Sequence, residues 1–122
     1  MGDGALGRSV GEIGKALGMR VLFSDYKGTT GMGPLYTPFD EVMRVSDVIT
    51  LHAPLMPSTR GMIGAREFAL MERQPILINT ARGGLVDEAA LADALAKGQI
   101  AGAGFDVVTT EPPPADHIMM RL

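Results

Sequence analysis

Residues 2 to 7 read Gly-Asp-Gly-Ala-Leu-Gly, a G-x-G-x-x-G spacing placed at the very start of a helical pattern. Few six-residue stretches constrain a fold more. The first glycine, Gly2, permits a tight turn out of a strand. The second, Gly4, lets the backbone come close to a pyrophosphate. The third, Gly7, lets the helix lie against a sheet. The helix start then offers free N–H groups and a positive dipole end to an anion. Glycine is frequent here, 16 of 122 residues, so the spacing alone arises easily by chance. It gains weight from the next eighteen residues. Leu6, Val10, Ile13 and Leu17 recur at helical steps and form one apolar face, and Gly18 supplies a stop. Residues 20–25 then form a β-rich strand that ends in Asp25, 18 positions after Gly7. An acidic residue about 20 positions on accepts the ribose hydroxyls of a dinucleotide and repels a 2′-phosphate, which favours NAD over NADP.

The rest of the chain alternates helices with short apolar strands. Residues 27–38 read as a Gly/Pro-rich loop, 40–44 as a short helix and 47–51 as a strand. Residues 52–60 are irregular, and 65–71 form a helix. Pro75 to Asn79 is an apolar strand of the doubly buried kind. Residues 86–97 form a helix capped by Asp87 and closed by Gly98, with Leu91, Ala94 and Leu95 on one face. Residues 100–108 give a last strand, and three successive prolines mark 109–116 as a linker. This is the pattern of an α/β fold, a Rossmann-type doubly wound parallel sheet.

Composition narrows the function. Apolar residues make up 46% and charged ones 20%, as in ordinary globular domains. A net charge of −3 gives no electrostatic reason to expect nucleic acid or an anionic membrane as partner. Without cysteine, thiol catalysis, disulfides and thiolate metal sites are excluded. No apolar run approaches the roughly 18 residues of a membrane span, and no apolar leader is visible, so a cytoplasmic setting is expected.

More specific blocks begin at residue 51: Leu-His-Ala-Pro-Leu at 51–55, Ser-Thr-Arg-Gly-Met-Ile at 58–63, and Leu-Ile-Asn-Thr-Ala-Arg-Gly-Gly-Leu-Val-Asp at 77–87. Ala-Gly-Ala-Gly-Phe-Asp-Val-Val at 101–108 and Glu111-Pro112 complete the series. In order and spacing it resembles the cofactor-binding domain of the D-isomer-specific 2-hydroxyacid dehydrogenases, over essentially the whole chain, with a weak likeness to the glycerate (hydroxypyruvate) branch. The resemblance implies NAD as cofactor and a small 2-keto or 2-hydroxy acid as substrate. It implies that Arg82 is catalytic, its planar fork gripping the substrate's carboxylate and carbonyl oxygens. Glu111 matches the glutamate that pairs with a catalytic histidine and favours its protonated form. Asp106 matches the position that contacts the nicotinamide carboxamide. Ala5 and Leu6 match positions at the pyrophosphate, and Ala53, Thr59, Thr80 and Ala81 fall on cofactor-facing loops at strand ends.

Neither histidine matches the family's acid. His117 reads as an ordinary loop histidine, and His52 as structural or cofactor-adjacent. The plain alternative for Arg82 is a surface ion pair with Asp87 or Glu88.

In the strand order 3-2-1-4-5-6, residues 20–25 and 47–51 are expected on one side of the first strand and residues 75–79 and 101–108 on the other. That first strand should precede Gly2, so Met1 is expected to mark a cut. The chain is then an internal segment, residues 1–122, of a longer enzyme that is usually dimeric. The first and last strands, the substrate domain and the catalytic histidine would lie elsewhere, and the segment alone would be inactive. A non-catalytic NAD-binding module and an unrelated Rossmann protein, such as a methyltransferase, are the alternatives.

Overall fold

A computed structural model describes residues 1–121. After the glycine turn comes α1 (Ala5–Ala16), followed by β1 (Phe23–Ser24), β2 (Tyr36–Thr37), α2 (Phe39–Val45) and β3 (Val48–Leu51). Next are α3 (Ala65–Leu70), β4 (Ile76–Asn79), α4 (Glu88–Lys97) and β5 (Gly102–Phe105). A 3-10 turn, Ile118–Arg121, lies within the stretch after the prolines.

The strands form two parallel sheets. β1 pairs with β2, and β3, β4 and β5 form the second sheet in that order. Leu51, Asn79 and Phe105 stand in register at the carboxyl ends of β3, β4 and β5. The strand at 47–51 therefore neighbours the strand at 75–79, and the expectation that it sits with residues 20–25 is corrected. What displaces it is β2, a two-residue strand inside the stretch read as a loop. Its glycine- and proline-rich surroundings carry no strand pattern, and only the edge offered by β1 makes Tyr36–Thr37 extended. Counted as 3-2-1-4-5-6, the observed strands take places two to six. The place left open among the described residues is the central first one.

α2, α3 and α4 cover one face of the three-stranded sheet. Phe39, Met43, Ile49, Leu51, Phe68 and Leu77 form the heart of the core beneath them. Burial alternates along β3 and β4: Ile49, Leu51, Leu77 and Asn79 point inward, while Val48 and Ile76 remain exposed on the other face. α4 behaves as its sequence predicts. The Asp87 carboxylate accepts from Ala90 N at 3.1 Å, Gly98 closes the helix in the left-handed region at φ +72°, and Leu91 and Ala94 are buried.

α1 does not follow its apolar pattern. The helix forms where expected, yet Leu6, Val10, Ile13 and Leu17 are 75, 38, 60 and 74% exposed. The buried positions are Gly7 and Gly11. The reason is steric. A Cβ at Gly11 would come within 2.8 Å of the Phe23 ring, and one at Gly14 within 3.1 Å of Val21. The glycine row, not the leucine row, sets how closely the helix seats against residues 21–23.

Candidate cofactor and catalytic site

The parallel register collects most of the predicted residues at one edge. His52 and Ala53 leave the carboxyl end of β3, Thr80 to Arg82 leave β4, and Asp106 leaves β5. The glycine turn is pressed against the first of these ends. Met1 O accepts from His52 N at 2.7 Å, and a Cβ at Gly2 (φ +97°) would lie 2.6 Å from the His52 carbonyl. A Cβ at Gly7 would collide with the Gly2 carbonyl. Gly2 and Gly7 thus fix the turn beside Ala53. Gly4 has open space around it, and Gly4, Ala5 and Leu6 are exposed. Gly4 is also the N-cap of α1, which has no side-chain cap and no acidic residue in its first turn. Its leading N–H groups are left for an anion.

Asp25 lies at the end of β1 and is buried. Its backbone N–H donates to Thr37 O at 2.7 Å, but its carboxylate Oδ1 has no partner. A buried carboxylate oxygen without a donor is costly, and a pair of ribose hydroxyls is the kind of group that would relieve it. The strand end is tied to the glycine turn by a latch that the sequence did not suggest. Asp3 accepts from Tyr26 Oη at 3.1 Å and from Tyr36 Oη at 2.6 Å, while Arg8 Nε donates to Asp3 O at 2.7 Å. The tyrosine hydroxyls hold the Asp3 carboxyl below its ordinary range, Tyr36 most of all. The glycine turn, Asp25 and the uncapped helix end fit an adenine dinucleotide.

Behind Asp25, Lys27 Nζ and Arg66 Nη1 each lie 2.9 Å from Glu67 Oε2, and Glu67 Oε1 accepts from Gly64 N at 3.0 Å. Burial opposes ionisation of Glu67, but the bonds from Lys27, Arg66 and Gly64 outweigh it and hold the carboxyl below its usual range. This buried carboxylate anchors the loop after Asp25 to the start of α3.

Arg82 is presented by a turn wrapped around a buried asparagine. Asn79 Nδ2 donates to Arg82 O at 2.9 Å, and its Oδ1 accepts from Ala81 N at 3.0 Å. Asn79 O also accepts from Asp106 N at 3.0 Å, so one residue positions both loops. Gly83 packs against the Val108 carbonyl so closely that a Cβ would collide with it. That contact closes a pocket of about 460 Å³ lined by Ala81, Arg82, Gly83, Val108, Thr109 and Glu111. Glu111 is tethered there, its Oε1 accepting from Val108 N at 3.0 Å. Arg82 is exposed, and its Nη1 donates to Ala81 O at 2.7 Å. Neither of the expected ion-pair partners takes it: Asp87 caps α4, and Glu88 bonds His117 Nε2 at 3.0 Å and Thr109 N at 2.9 Å. Thr80 and Asp106 are exposed at the same edge. Thr59 braces the loop above it, donating to Pro54 O at 2.6 Å and accepting from Met56 N at 2.8 Å.

His52 Nε2 lies 2.9 Å from Thr50 Oγ1. Burial, then the charge of the nearby Met1 nitrogen, lowers its pKa. His117 packs on α4 rather than standing as a free loop residue. Asn79, Asp3 with its tyrosines, and Glu67 are the positioning residues that sequence reasoning missed. Asn79 alone left a signal, as a polar residue closing an otherwise apolar strand.

A glycine turn against a parallel sheet, an unpartnered buried carboxylate one strand away, and loops gathered at the carboxyl edge define a dinucleotide-binding α/β domain. The family model for the NAD-binding domain of D-isomer specific 2-hydroxyacid dehydrogenases matches residues 1–122. The chain belongs to that family, as an NAD-binding domain. It is 54% identical over 119 residues to a glycerate dehydrogenase of Methylorubrum extorquens, covering 98% of this chain and 37% of that protein. It is 42% identical over 123 residues to a hydroxypyruvate reductase of Blautia hydrogenotrophica, covering 98% and 38%. Among solved structures, D-lactate dehydrogenase with NAD+ from Lactobacillus jensenii aligns at TM-score 0.80 and 45% identity, over 90% of this chain and 34% of that one. Phosphoglycerate dehydrogenase from Lactobacillus plantarum aligns at TM-score 0.88 and 31% identity, over 99% and 40%. The chain spans a little over a third of the length of the curated relatives named here. Among the described residues, no helix is long and apolar enough to cross a membrane.

Proposed function

We propose that this chain is the cofactor-binding part of an NAD-dependent oxidoreductase that interconverts a D-2-hydroxy acid and its 2-keto acid, with glycerate and hydroxypyruvate as the substrate pair. The observation that carries the proposal is that Arg82 and Glu111, 29 residues apart in sequence, line one pocket beside the Gly83–Val108 contact. NAD, when bound, supplies hydride exchange with the substrate carbon. The protein's own groups do the rest. Gly2, Gly4, Ala5, Leu6 and Gly7 seat the pyrophosphate at the start of α1. Asp25 accepts the adenosine ribose hydroxyls and repels a 2′-phosphate. Ala53, Thr59, Thr80 and Ala81 border the cofactor, and Asp106 bonds the nicotinamide carboxamide. The Arg82 fork holds the substrate carboxylate and opposes the charge that grows on the carbonyl oxygen. Glu111 keeps a histidine from outside these residues protonated, ready to donate to that oxygen. The working enzyme is a cytoplasmic dimer with a separate substrate domain, and this chain alone turns over no substrate.

The test is a chimaera in which this chain replaces the matching segment of the Methylorubrum extorquens glycerate dehydrogenase, 54% identical to it. With NADH and hydroxypyruvate, Arg82→Ala should lower kcat/KM by about a hundredfold or more, the loss expected when a preorganised donor is removed. Equal turnover by both forms would remove Arg82 from the reaction.

A further inference from the structure

The strap that carries Glu111 lies on the surface: residues 109–116 are all exposed. Polar bonds at its two ends set its course, and both run to one side chain. Glu88, in the first turn of α4, takes the near end, its Oε2 accepting from Thr109 N at 2.9 Å. Its Oε1 takes the far end, 3.0 Å from His117 Nε2. Beneath the exposed strap these two side chains are buried, His117 10% exposed and Glu88 13%. The imidazole is itself fixed. Its Nδ1 accepts from Met119 N at 3.1 Å, so Nε2 carries the proton and donates it to Glu88. Met119 packs against the core, and His117 N donates to Pro114 O at 2.9 Å. Between the anchors, Pro112, Pro113 and Pro114 fix φ and leave little slack. Thr109 directly follows Val108, whose N–H donates to Glu111 Oε1 and whose carbonyl abuts Gly83. Arg82 is the other charged side chain lining that pocket.

We propose that Glu88 and His117 are positioning residues for the reaction: they clasp the strap at both ends and so place the Glu111 carboxylate against the histidine it keeps protonated. The inference rests on the role given to Glu111 under the dehydrogenase reading. Both oxygens of Glu88 and both nitrogens of His117 are engaged within the clasp, so the pair holds and does not react. An acidic side chain at the start of α4 is favoured by the helix dipole, which makes Glu88 a firm anchor. A strap without apolar packing depends on such bonds for its position, and the prolines carry a shift at either anchor through to Glu111.

The test uses the chimaera described above, with NADH and hydroxypyruvate. Glu88→Ala and His117→Ala should each lower kcat/KM by about tenfold to a hundredfold, the cost of a reacting group displaced by about an ångström. NADH affinity, read by nicotinamide fluorescence, should stay unchanged. Reduction of the keto acid needs the protonated histidine, so in both variants kcat/KM should begin to fall at a lower pH, as in Glu111→Gln. In the Glu111→Gln background, adding Glu88→Ala should change neither rate nor profile further, because the clasp acts through Glu111. His117→Gln, which keeps a donor for Glu88, should recover part of the loss. A pair that only stabilised the fold would lower the melting temperature and leave the pH profile in place. An unmoved profile in both variants, or a loss that adds fully to that of Glu111→Gln, would therefore overturn the proposal. Where Glu88→Ala does not fold, His117→Ala carries the same test. Glu111→Gln with unchanged rate and profile would instead overturn the reading of Glu111 itself, and the clasp with it.

Discussion

Replacing Glu67 by alanine isolates the buried charge that ties the loop after Asp25 to α3. The Glu67 side chain is 2% exposed and carries three bonds: from Lys27 Nζ, Arg66 Nη1 and Gly64 N. Removing one partner of a buried ion pair costs about 3–5 kcal/mol, because the remaining charge stays desolvated and unpaired. Here the cations are 34% and 58% exposed and recover much of their hydration, and Arg66 keeps Asp40 at 2.6 Å. Solvent screening therefore reduces the figure to about 2–3 kcal/mol. The loss includes the orphaned Gly64 N–H at the start of α3, about 1 kcal/mol by itself. Unfolding entropy near 2.1 cal/mol/K per residue gives about 0.26 kcal/mol/K for 122 residues, so Tm should fall by about 10 °C. Calorimetry of the wild type and Glu67→Ala near pH 7 reads this directly. Because the folded pKa of Glu67 is lowered, its ionised contribution is present above the ordinary carboxylate range and is lost as pH falls through the folded value. The gap between the two proteins should therefore shrink below about pH 4. A Tm within about 2 °C of wild type at pH 7 would refute the anchoring role.

Gly83→Ala must push the Arg82 turn away from Val108, since its Cβ would collide with that carbonyl. A loss of about 2–3 kcal/mol in urea denaturation is expected, as for other overpacked sites, and an unchanged midpoint would show that the loops are not in register contact. Burial lowers the pKa of His52, so stability should rise with pH from its folded value up to the ordinary histidine range, where the unfolded chain binds more protons. Urea midpoints at about pH 5 and about pH 7.5 check this, and a flat profile would contradict the burial of that ring. Asn79→Ala removes the bonds to Arg82 O and Ala81 N and leaves a hole at a fully buried site, so Tm should drop by several degrees and the amides of residues 80–83 should exchange faster.

The sequence was most legible where local chemistry and tertiary demand agree. Asp87 and Gly98 cap α4 because one offers a carboxylate to a free N–H and the other adopts a positive φ. The run at 76–79 forms its strand where expected, but burial alternates along it and Ile76 is exposed, so it is not buried on both faces. The blocks around Arg82 and Glu111 arrive in one pocket because Gly83 has no side chain. It misled where a pattern competed with sterics. The Leu6-Val10-Ile13-Leu17 row predicts a buried helix face, yet the row of Gly7, Gly11 and Gly14 permits the closer approach and takes the inside. Tyr36–Thr37 was illegible because two residues make no periodicity, and missing it shifted the place of 48–51 in the sheet. The roles of Asp3 and Glu67 left no signal, because the tyrosines that bond Asp3 and the lysine that pairs with Glu67 lie far away along the chain.

Titration of NADH and NADPH into the chain, monitored by nicotinamide fluorescence, asks whether Asp25 and the glycine turn hold an NAD ribose. NADH should bind the wild type more tightly than NADPH does. Asp25→Ala should weaken NADH by about tenfold to a hundredfold, the worth of hydrogen bonds to a charged acceptor, and should narrow the gap to NADPH. Undiminished NADH affinity in Asp25→Ala, with NADPH bound equally well by both proteins, would contradict the assignment.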